Sequence, residues 1–284
     1  MSSESKLNEE HYFLDKNQVE LERLDLGQAV IKHAMKQQIW APIDFSRQDI
    51  RILDSAGANG IWAEDLRASL PTDIQNSSTF IVTDITDVFF PVSPITGIRY
   101  QVQSMLQDWP EEMAESFDLV HQRMALPAAN RTKVRQTLRR FMELIKPGGW
   151  IQLVEADHSV SKGPAMADFF RLLSDIFAKI GTGTDYARQL KDWLPDLGFE
   201  DVQEKIFDIP LGLGNEDETM KSQSSRMFEY GARGLIEVGR TIPTSFNSEE
   251  LDGLERRIRE ENLNMGGIFR IHCVWGRKPL LLKQ

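Results

Sequence analysis

Cysteine is nearly absent from this chain: its 284 residues include one, Cys273. A single thiol excludes an intrachain disulfide and any cysteine-built metal cluster. Cys273 sits in an apolar stretch near the end of the chain, so a buried structural thiol is expected there rather than a nucleophile. Long apolar runs are missing as well. No segment approaches the roughly 18 uninterrupted apolar residues of a membrane-spanning helix. The opening MSSESKLNEEHYF lacks the apolar core of a secretion signal. Positive charge is in deficit, with 33 Lys and Arg against 43 Asp and Glu, a net charge of −10. That balance argues against a broad phosphate-binding surface and so against a nucleic-acid partner. No internal repeat or low-complexity tract stands out. What is present, 41% apolar and 27% charged residues, is ordinary for a globular protein. A cytoplasmic protein, monomeric or weakly dimeric and without a membrane partner or metal, is expected.

The length suits one large α/β domain with an elaboration, or two small domains. Residues 1–10 are polar and are expected to be a disordered tail. Residues 18–36 carry Leu24, Ile31 and Met35 on one helical face, which gives a helical N-terminal cap over about 11–45. From residue 46 strands and helices alternate. Short apolar strands are expected at Ile50–Asp54, Thr79–Asp84, Ile98–Val102, Phe117–His121 and Trp150–Glu155, with a helix over Arg131–Ile145 that Pro147-Gly148-Gly149 stops. Further helices follow near 166–180 and 186–194. Closing strands are expected at Phe199–Ile209 and Gly267–Val274. Between them lies a helical insertion over about 215–262, read as two helices, 217–240 and 248–262. Seven strands separated by helical segments imply a doubly wound, mainly parallel sheet with helices on both faces. Helices inserted beside such a sheet usually cover a ligand site or mediate association.

The most specific local pattern is Arg51-Ile-Leu-Asp-Ser-Ala-Gly-Ala-Asn-Gly-Ile-Trp62, a strand, a small-residue turn and a helix start. Such a turn can press its N–H groups against a nucleotide-like ligand. Asp84 ends the second strand, where an acid can accept hydrogen bonds from a ribose diol. It follows Asp54 by about 30 residues rather than the roughly 20 of the dinucleotide fingerprint. The turn is also not G-x-G-x-x-G. Binding of NAD is therefore the weaker of two cofactor readings.

Leu53-Asp54-x5-Gly60-Ile61-Trp62, Asp84-Ile85-Thr86, Phe117-Asp118-x-x-His121-x-Arg123 and Lys146-Pro-Gly-Gly-Trp150 occur in this order at strand ends. The series resembles the class I S-adenosylmethionine-dependent methyltransferases, in particular the fungal secondary-metabolism group that includes the LaeA-like proteins. Tyr12-Phe-Leu-Asp15 and Glu20-x-x-Arg23-Leu-Asp25 resemble the N-terminal segment of the same group. The resemblance covers roughly residues 11–160, and within the group it points to the thiol S-methyltransferases that cap epidithiodiketopiperazines such as gliotoxin. It implies the class I Rossmann-like fold with S-adenosyl-L-methionine as cofactor.

By the same resemblance Ala56, Gly57, Ala58 and Gly60, following Asp54, would approach the methionine part of the cofactor. Asp84 would bind the ribose hydroxyls and Ile85 would pack on adenine. Gln103 and Ser104 occupy the place of an acidic pair near adenine. His121 and Arg123 would lie near the sulfonium and carboxylate end, and Tyr12 and Arg23 would close over the cofactor. The family turn is D-x-G-x-G-x-G, whereas this chain carries Ala56 and Ala58 at the first two glycine positions, and alanine resists positive φ.

Each residue also has a plain structural explanation. Asp54 and Asp84 can be strand-end caps, His121 a satisfied core histidine, and Arg23 a partner of Glu20 or Asp25 on its own helix. Phe169 and Phe170 belong to an apolar helical stripe that is core unless they line a substrate pocket. Glu155, Asp157 and His158 follow the fifth strand and are the candidates for a general base. A thiol acceptor needs little base catalysis, so S-methylation of a small dithiol metabolite is the expected reaction. The alternatives are O- or N-methylation, a regulator without turnover, or a cyclase on the same fold.

Overall fold

Apolar runs become strands wherever both faces of the sheet are covered. The computed structural model describes residues 18–280, so the expectations placed on the 1–10 tail and on Tyr12 lie outside the described residues. β1 (Arg51–Ser55), β2 (Thr79–Asp84), β3 (Ile98–Val102), β4 (Phe117–Arg123) and β5 (Ile145–Asp157) run parallel, with Leu53 beside Ile81 on one side and Val120 on the other. Leu53, Phe80, Val82, Leu119 and Val120 are fully buried. That explains why these segments read as continuous apolar runs rather than alternating ones. β6 (Glu200–Leu211) and β7 (Gly267–Arg277) complete a seven-stranded sheet in the order β3-β2-β1-β4-β5-β7-β6. The mainly parallel, doubly wound sheet is the expected one.

Two boundaries differ from expectation. The helix placed at Arg131 begins at Val134 as α4 (Val134–Leu144), after α2 (Ile61–Ser69) and α3 (Thr72–Ser77). The Asn130 side chain accepts hydrogen bonds from the Thr132 and Lys133 amides and holds 130–133 as a turn. α4 stops at Leu144, ahead of Pro147, and β5 starts at once at Ile145 rather than at Trp150. The Lys146–Gly149 segment is drawn into that strand through a register shift between Phe117 and Leu119.

The remaining helices are α5 (Pro164–Lys179), α6 (Tyr186–Asp196), α7 (Glu218–Gly239), α8 (Ser248–Asp252) and α9 (Leu254–Asn264), with α1 (Gln18–Met35) at the start. The stretch expected as one helix over 248–262 divides at Gly253. Asn247 and Glu250 form a capping box for α8. The start of α5 is capped from elsewhere: the two Glu261 carboxylate oxygens accept the Ala165 and Met166 amides at 2.7 and 3.0 Å. None of the described helices is long and apolar enough to cross a membrane.

The chain divides into two compact units. One holds most of the sheet and comprises 37–155, 187–205 and the residues from His272 on. The other is mainly helical and comprises the described residues up to Lys36, 156–186 and 206–271. The core of the helical unit is aromatic: Phe169 meets Phe170 and Phe228 edge to face, and Phe228 meets Phe269 in the same way. Such pairs add to the area that these rings bury.

Candidate functional site

The turn after β1 keeps the backbone of a glycine-rich loop with alanine at two of its positions. Ala56 and Ala58 both have positive φ, 56° and 47°. For an L-residue with a Cβ this conformation costs on the order of 1 kcal/mol each, so the surroundings must hold it. They do so through the backbone amides. The Gly57 N–H donates to the Thr83 carbonyl (2.9 Å), the Gly60 N–H to the Gly57 carbonyl (2.8 Å) and the Ala58 N–H to an Asp84 carboxylate oxygen (3.0 Å). Three of the N–H groups expected to face a ligand, those of Gly57, Ala58 and Gly60, are thus engaged within the protein, where they fix the turn itself. Gly57 is required for space, since a Cβ there would lie 2.7 Å from the Asp54 carboxylate and 2.8 Å from Val82.

Beneath the turn lies a buried polar pair. Asp54 and His121 are register partners on β1 and β4, exposed to 3% and 1%. Asp54 Oδ1 and His121 Nδ1 are 2.8 Å apart. A carboxylate can only accept, so it fixes the ring proton on Nδ1 and leaves Nε2 as an acceptor. Burial pushes the imidazole below its ordinary pKa, and the Asp54 charge opposes that shift without cancelling it. The ring lies on the Trp62 indole, centroids 3.6 Å apart. His121 Nε2 and Asp54 Oδ2 are both buried and have no partner among the described residues. Two orphaned acceptors on one buried Asp–His pair fit a ligand that carries donors or positive charge.

Other expected cofactor residues lie at the ends of β2, β3 and β4. Asp84 commits one oxygen to Ala58, and Ile85 follows it half-buried. Arg123 ends β4, half-buried. Its pKa is pushed down by burial, against the pull of the Asp54 and Asp65 charges. Gln103 and Ser104 brace their own loop. The Gln103 amide donates to the Ser104 and Asp108 carbonyls, and the Ser104 hydroxyl accepts from the Leu106 amide. Three residues absent from the sequence-level site belong to it: Trp62 against His121, and Tyr100 with Glu64 against the turn. The Tyr100 hydroxyl lies 3.1 Å from the Asn59 carbonyl and 3.2 Å from the Glu64 carboxylate. Tyr100 carried no local signal, because an aromatic residue in a strand is the commonest core pattern.

Two motif residues serve the other end of the strands. Asp118, at the start of β4, receives Lys146 and Arg47 at 2.6 Å each and the Arg51 amide at 2.9 Å. This cluster joins the starts of β1, β4 and β5, and its place at the amino ends marks it as structural.

The three base candidates separate. Glu155 Oε1 accepts the Ala125 and Leu126 amides and the Gln122 side chain at 2.9–3.0 Å, which caps the short 3₁₀ turn Leu126–Ala128. Burial raises its pKa to about 7 against these three hydrogen bonds. Asp157 Oδ1 accepts from the Ser159 amide and hydroxyl. His158, in the helical unit, packs its ring against Phe170 and Phe177, centroids 5.4 and 6.0 Å away. Burial lowers its pKa to about 4, so it is neutral at ordinary pH, and its Nδ1 is buried with no partner among the described residues. Arg23, on α1, makes a two-pronged pair with Glu20 at 2.6 and 2.7 Å, the alternative its own helix offers. Phe169 and Phe170 are exposed to 8% and 5% and serve the aromatic core.

Residues 31–204 match a family model described as a methyltransferase domain. The chain is 31% identical to the N-methyltransferase gliN of Aspergillus fumigatus, over 96% of its length and 98% of the relative's. It is 30% identical to the N-methyltransferase sirN of Leptosphaeria maculans, over 99% and 100%, and 35% identical to the methyltransferase psoC of Aspergillus fumigatus, over 92% and 95%. Among solved structures, a Haemonchus contortus phosphoethanolamine N-methyltransferase in complex with S-adenosylhomocysteine aligns with 90% of this chain at a TM-score of 0.50 and 13% identity. This chain covers 52% of that enzyme. The Bacillus YcgJ protein aligns with 90% of this chain and 98% of its own at a TM-score of 0.51 and 15% identity. These two share the fold.

Proposed function

The chain belongs to the methyltransferase domain family and is an S-adenosylmethionine-dependent methyltransferase, and we propose that it methylates a nitrogen atom of a small fungal secondary metabolite. End-to-end likeness to two relatives named N-methyltransferases carries this reading. A thiol acceptor, expected from the sequence alone, is the second reading. The observation in its favour is that Glu155 and Asp157 are engaged in backbone caps, and a thiol is the acceptor least in need of a base. The same proposal makes the protein a cytoplasmic monomer or weak homodimer that takes a small molecule and no nucleic acid.

S-adenosylmethionine supplies a methyl group already activated on a sulfonium, so the protein must mainly align the acceptor and exclude water. In this proposal the Ala56–Gly60 turn cradles the methionine part. Asp54 Oδ2 and His121 Nε2 offer the acceptors for its ammonium group. Asp84 takes the ribose hydroxyls, Ile85 covers adenine beside Gln103 and Ser104, and Arg123 faces the carboxylate. Arg23 is relieved of that role by its pairing with Glu20.

The test uses cofactor with an isotopically labelled methyl group and a panel of amide, amine, hydroxyl and dithiol metabolites. Nuclear magnetic resonance of the product distinguishes N-, O- and S-methyl groups. An N-methyl product is expected. An S-methyl product from the dithiols alone replaces nitrogen by the thiol reading. Calorimetric binding of the cofactor without transfer to any acceptor favours a regulator.

A further inference from the structure

Tyr100 stands on β3, two strands away from the turn that follows β1, and its hydroxyl reaches into that turn. The hydroxyl has one proton and two acceptors in range, the Asn59 carbonyl at 3.1 Å and Glu64 Oε1 at 3.2 Å. Asn59 lies inside the turn and Glu64 in the first turn of α2, so the phenol ties the loop to the helix it enters. Gly60 has a φ of 76°, and a Cβ on it would lie 2.3 Å from the Tyr100 hydroxyl oxygen and 2.7 Å from the ring. The glycine is thus kept as much for the tyrosine as for its own backbone. On the other side the Tyr100 ring meets Phe90, centroids 5.2 Å apart, in the loop that follows Asp84 and Ile85. One side chain therefore touches both loops that the proposed cofactor site is built from.

This bears on the two alanines. A turn that holds Ala56 and Ala58 at positive φ relaxes unless something outside it fixes the end of the loop. Asp84 fixes Ala58 through its amide. The next two residues, Asn59 and Gly60, are held by Tyr100.

We propose that Tyr100 is the positioning residue of the cofactor turn, clamping Asn59 and Gly60 against α2 and joining that turn to the loop after β2, so that a turn with alanines in place of glycines still presents one fixed surface to S-adenosylmethionine. This rests on the reading of the turn as the cofactor cradle. The role is distinct from that of a residue which contacts the reacting atoms: Tyr100 acts through the backbone of the turn and sets cofactor affinity rather than the chemical step.

The test compares calorimetric affinity for S-adenosylhomocysteine, the KM for S-adenosylmethionine, kcat at saturating cofactor and hydrogen exchange across residues 56–61 of the unliganded protein. Tyr100→Phe keeps the ring and removes the hydroxyl. It is expected to weaken cofactor binding about three- to tenfold, the worth of one hydrogen bond. KM should rise in parallel, kcat should stay within about twofold, and amide exchange in the turn should be faster. Glu64→Gln keeps an acceptor for the hydroxyl and is expected to bind near the wild-type level, whereas Glu64→Ala should fall toward Tyr100→Phe. Wild-type protein that does not bind S-adenosylhomocysteine overturns the cradle reading itself. Wild-type binding with unchanged affinity and exchange in Tyr100→Phe overturns the clamp alone. A Tyr100→Phe variant with a lowered thermal midpoint, unchanged KM and reduced kcat also overturns it, because general loosening rather than positioning would then explain the loss.

Discussion

The His121 imidazole lies flat on the Trp62 indole, with ring centroids 3.6 Å apart and planes 3° from parallel. Trp62 lies in the first turn of α2 and His121 near the end of β4, so the stack fixes the entry of that helix over the strand whose histidine is held by Asp54. Both rings are buried. Trp62→Ala is expected to cost about 3–5 kcal/mol, as large-to-small core changes do. Trp62→Phe keeps a ring on the imidazole and should cost roughly half as much. Urea unfolding of the two variants measures the difference, and equal losses would mean that a phenyl ring in place of the indole restores none of the contact.

Glu155 and His158 titrate against each other. The Glu155 pKa is about 7 in the folded chain against 4.5 ordinarily, so the native state holds the extra proton and stability falls as pH rises through that window. The His158 pKa is about 4 against 6.5, so the unfolded chain takes up the proton and stability falls as pH drops from 6.5 toward 4. Each shift amounts to about 3 kcal/mol at full extent, and between pH 4.5 and 6.5 they offset one another. His121, also lowered, tips the balance toward loss in acid. Glu155→Gln keeps an oxygen for the cap and removes one arm, so its stability should fall more steeply on acidification than the wild type. His158→Gln should flatten or reverse the slope. Unfolding midpoints measured across this range decide it, and a Glu155→Gln profile parallel to the wild type would count against the raised carboxyl.

Ala58→Gly tests the strained turn directly. Glycine removes the Cβ penalty at φ 47° but gives the unfolded chain more freedom. The expected result is a gain of about 0.5 kcal/mol in stability, with cofactor affinity within about threefold of wild type. Thermal unfolding and calorimetry read the two quantities separately. A large gain in affinity would mean that the alanine methyl obstructs the ligand.

Asp118→Asn leaves the shape of the cluster at the strand starts but deprives Lys146 and Arg47 of their counter-charge. A loss of about 1–3 kcal/mol is expected, with KM for the cofactor unchanged because the cluster serves the amino ends of the strands. A raised KM at unchanged stability would place Asp118 in the site.

Much of the site was legible because its residues occur at strand ends in a fixed order. Asp54, Asp84 and His121 each follow an apolar run, and parallel strands must bring the ends of such runs to one edge of the sheet. The pairing of Asp54 with His121 was not legible, since 67 residues separate them and only the β1–β4 neighbourhood sets them side by side. Tyr100 escaped for a related reason: a tyrosine in an alternating strand reads as packing, and its contact with Gly60 depends on which strands adjoin. The segment Lys146–Gly149 was misread because proline and glycine suggest a break, whereas the pairing of β4 with β5 pulls them into the strand.

The sequence by itself determined the sheet, its parallel sense, the tight turn after β1 and the family. These follow from local periodicity and from residue types whose backbone preferences act over a few positions. The tertiary structure decided the tasks of the polar groups. It turned Glu155 and Glu261 into caps, set amides of the turn to holding the turn, and left Asp54 Oδ2 and His121 Nε2 as buried acceptors without a partner among the described residues. A carboxylate or an imidazole has the same spelling whether it is satisfied or waiting for a ligand, and only the donors that the fold places around it distinguish the two.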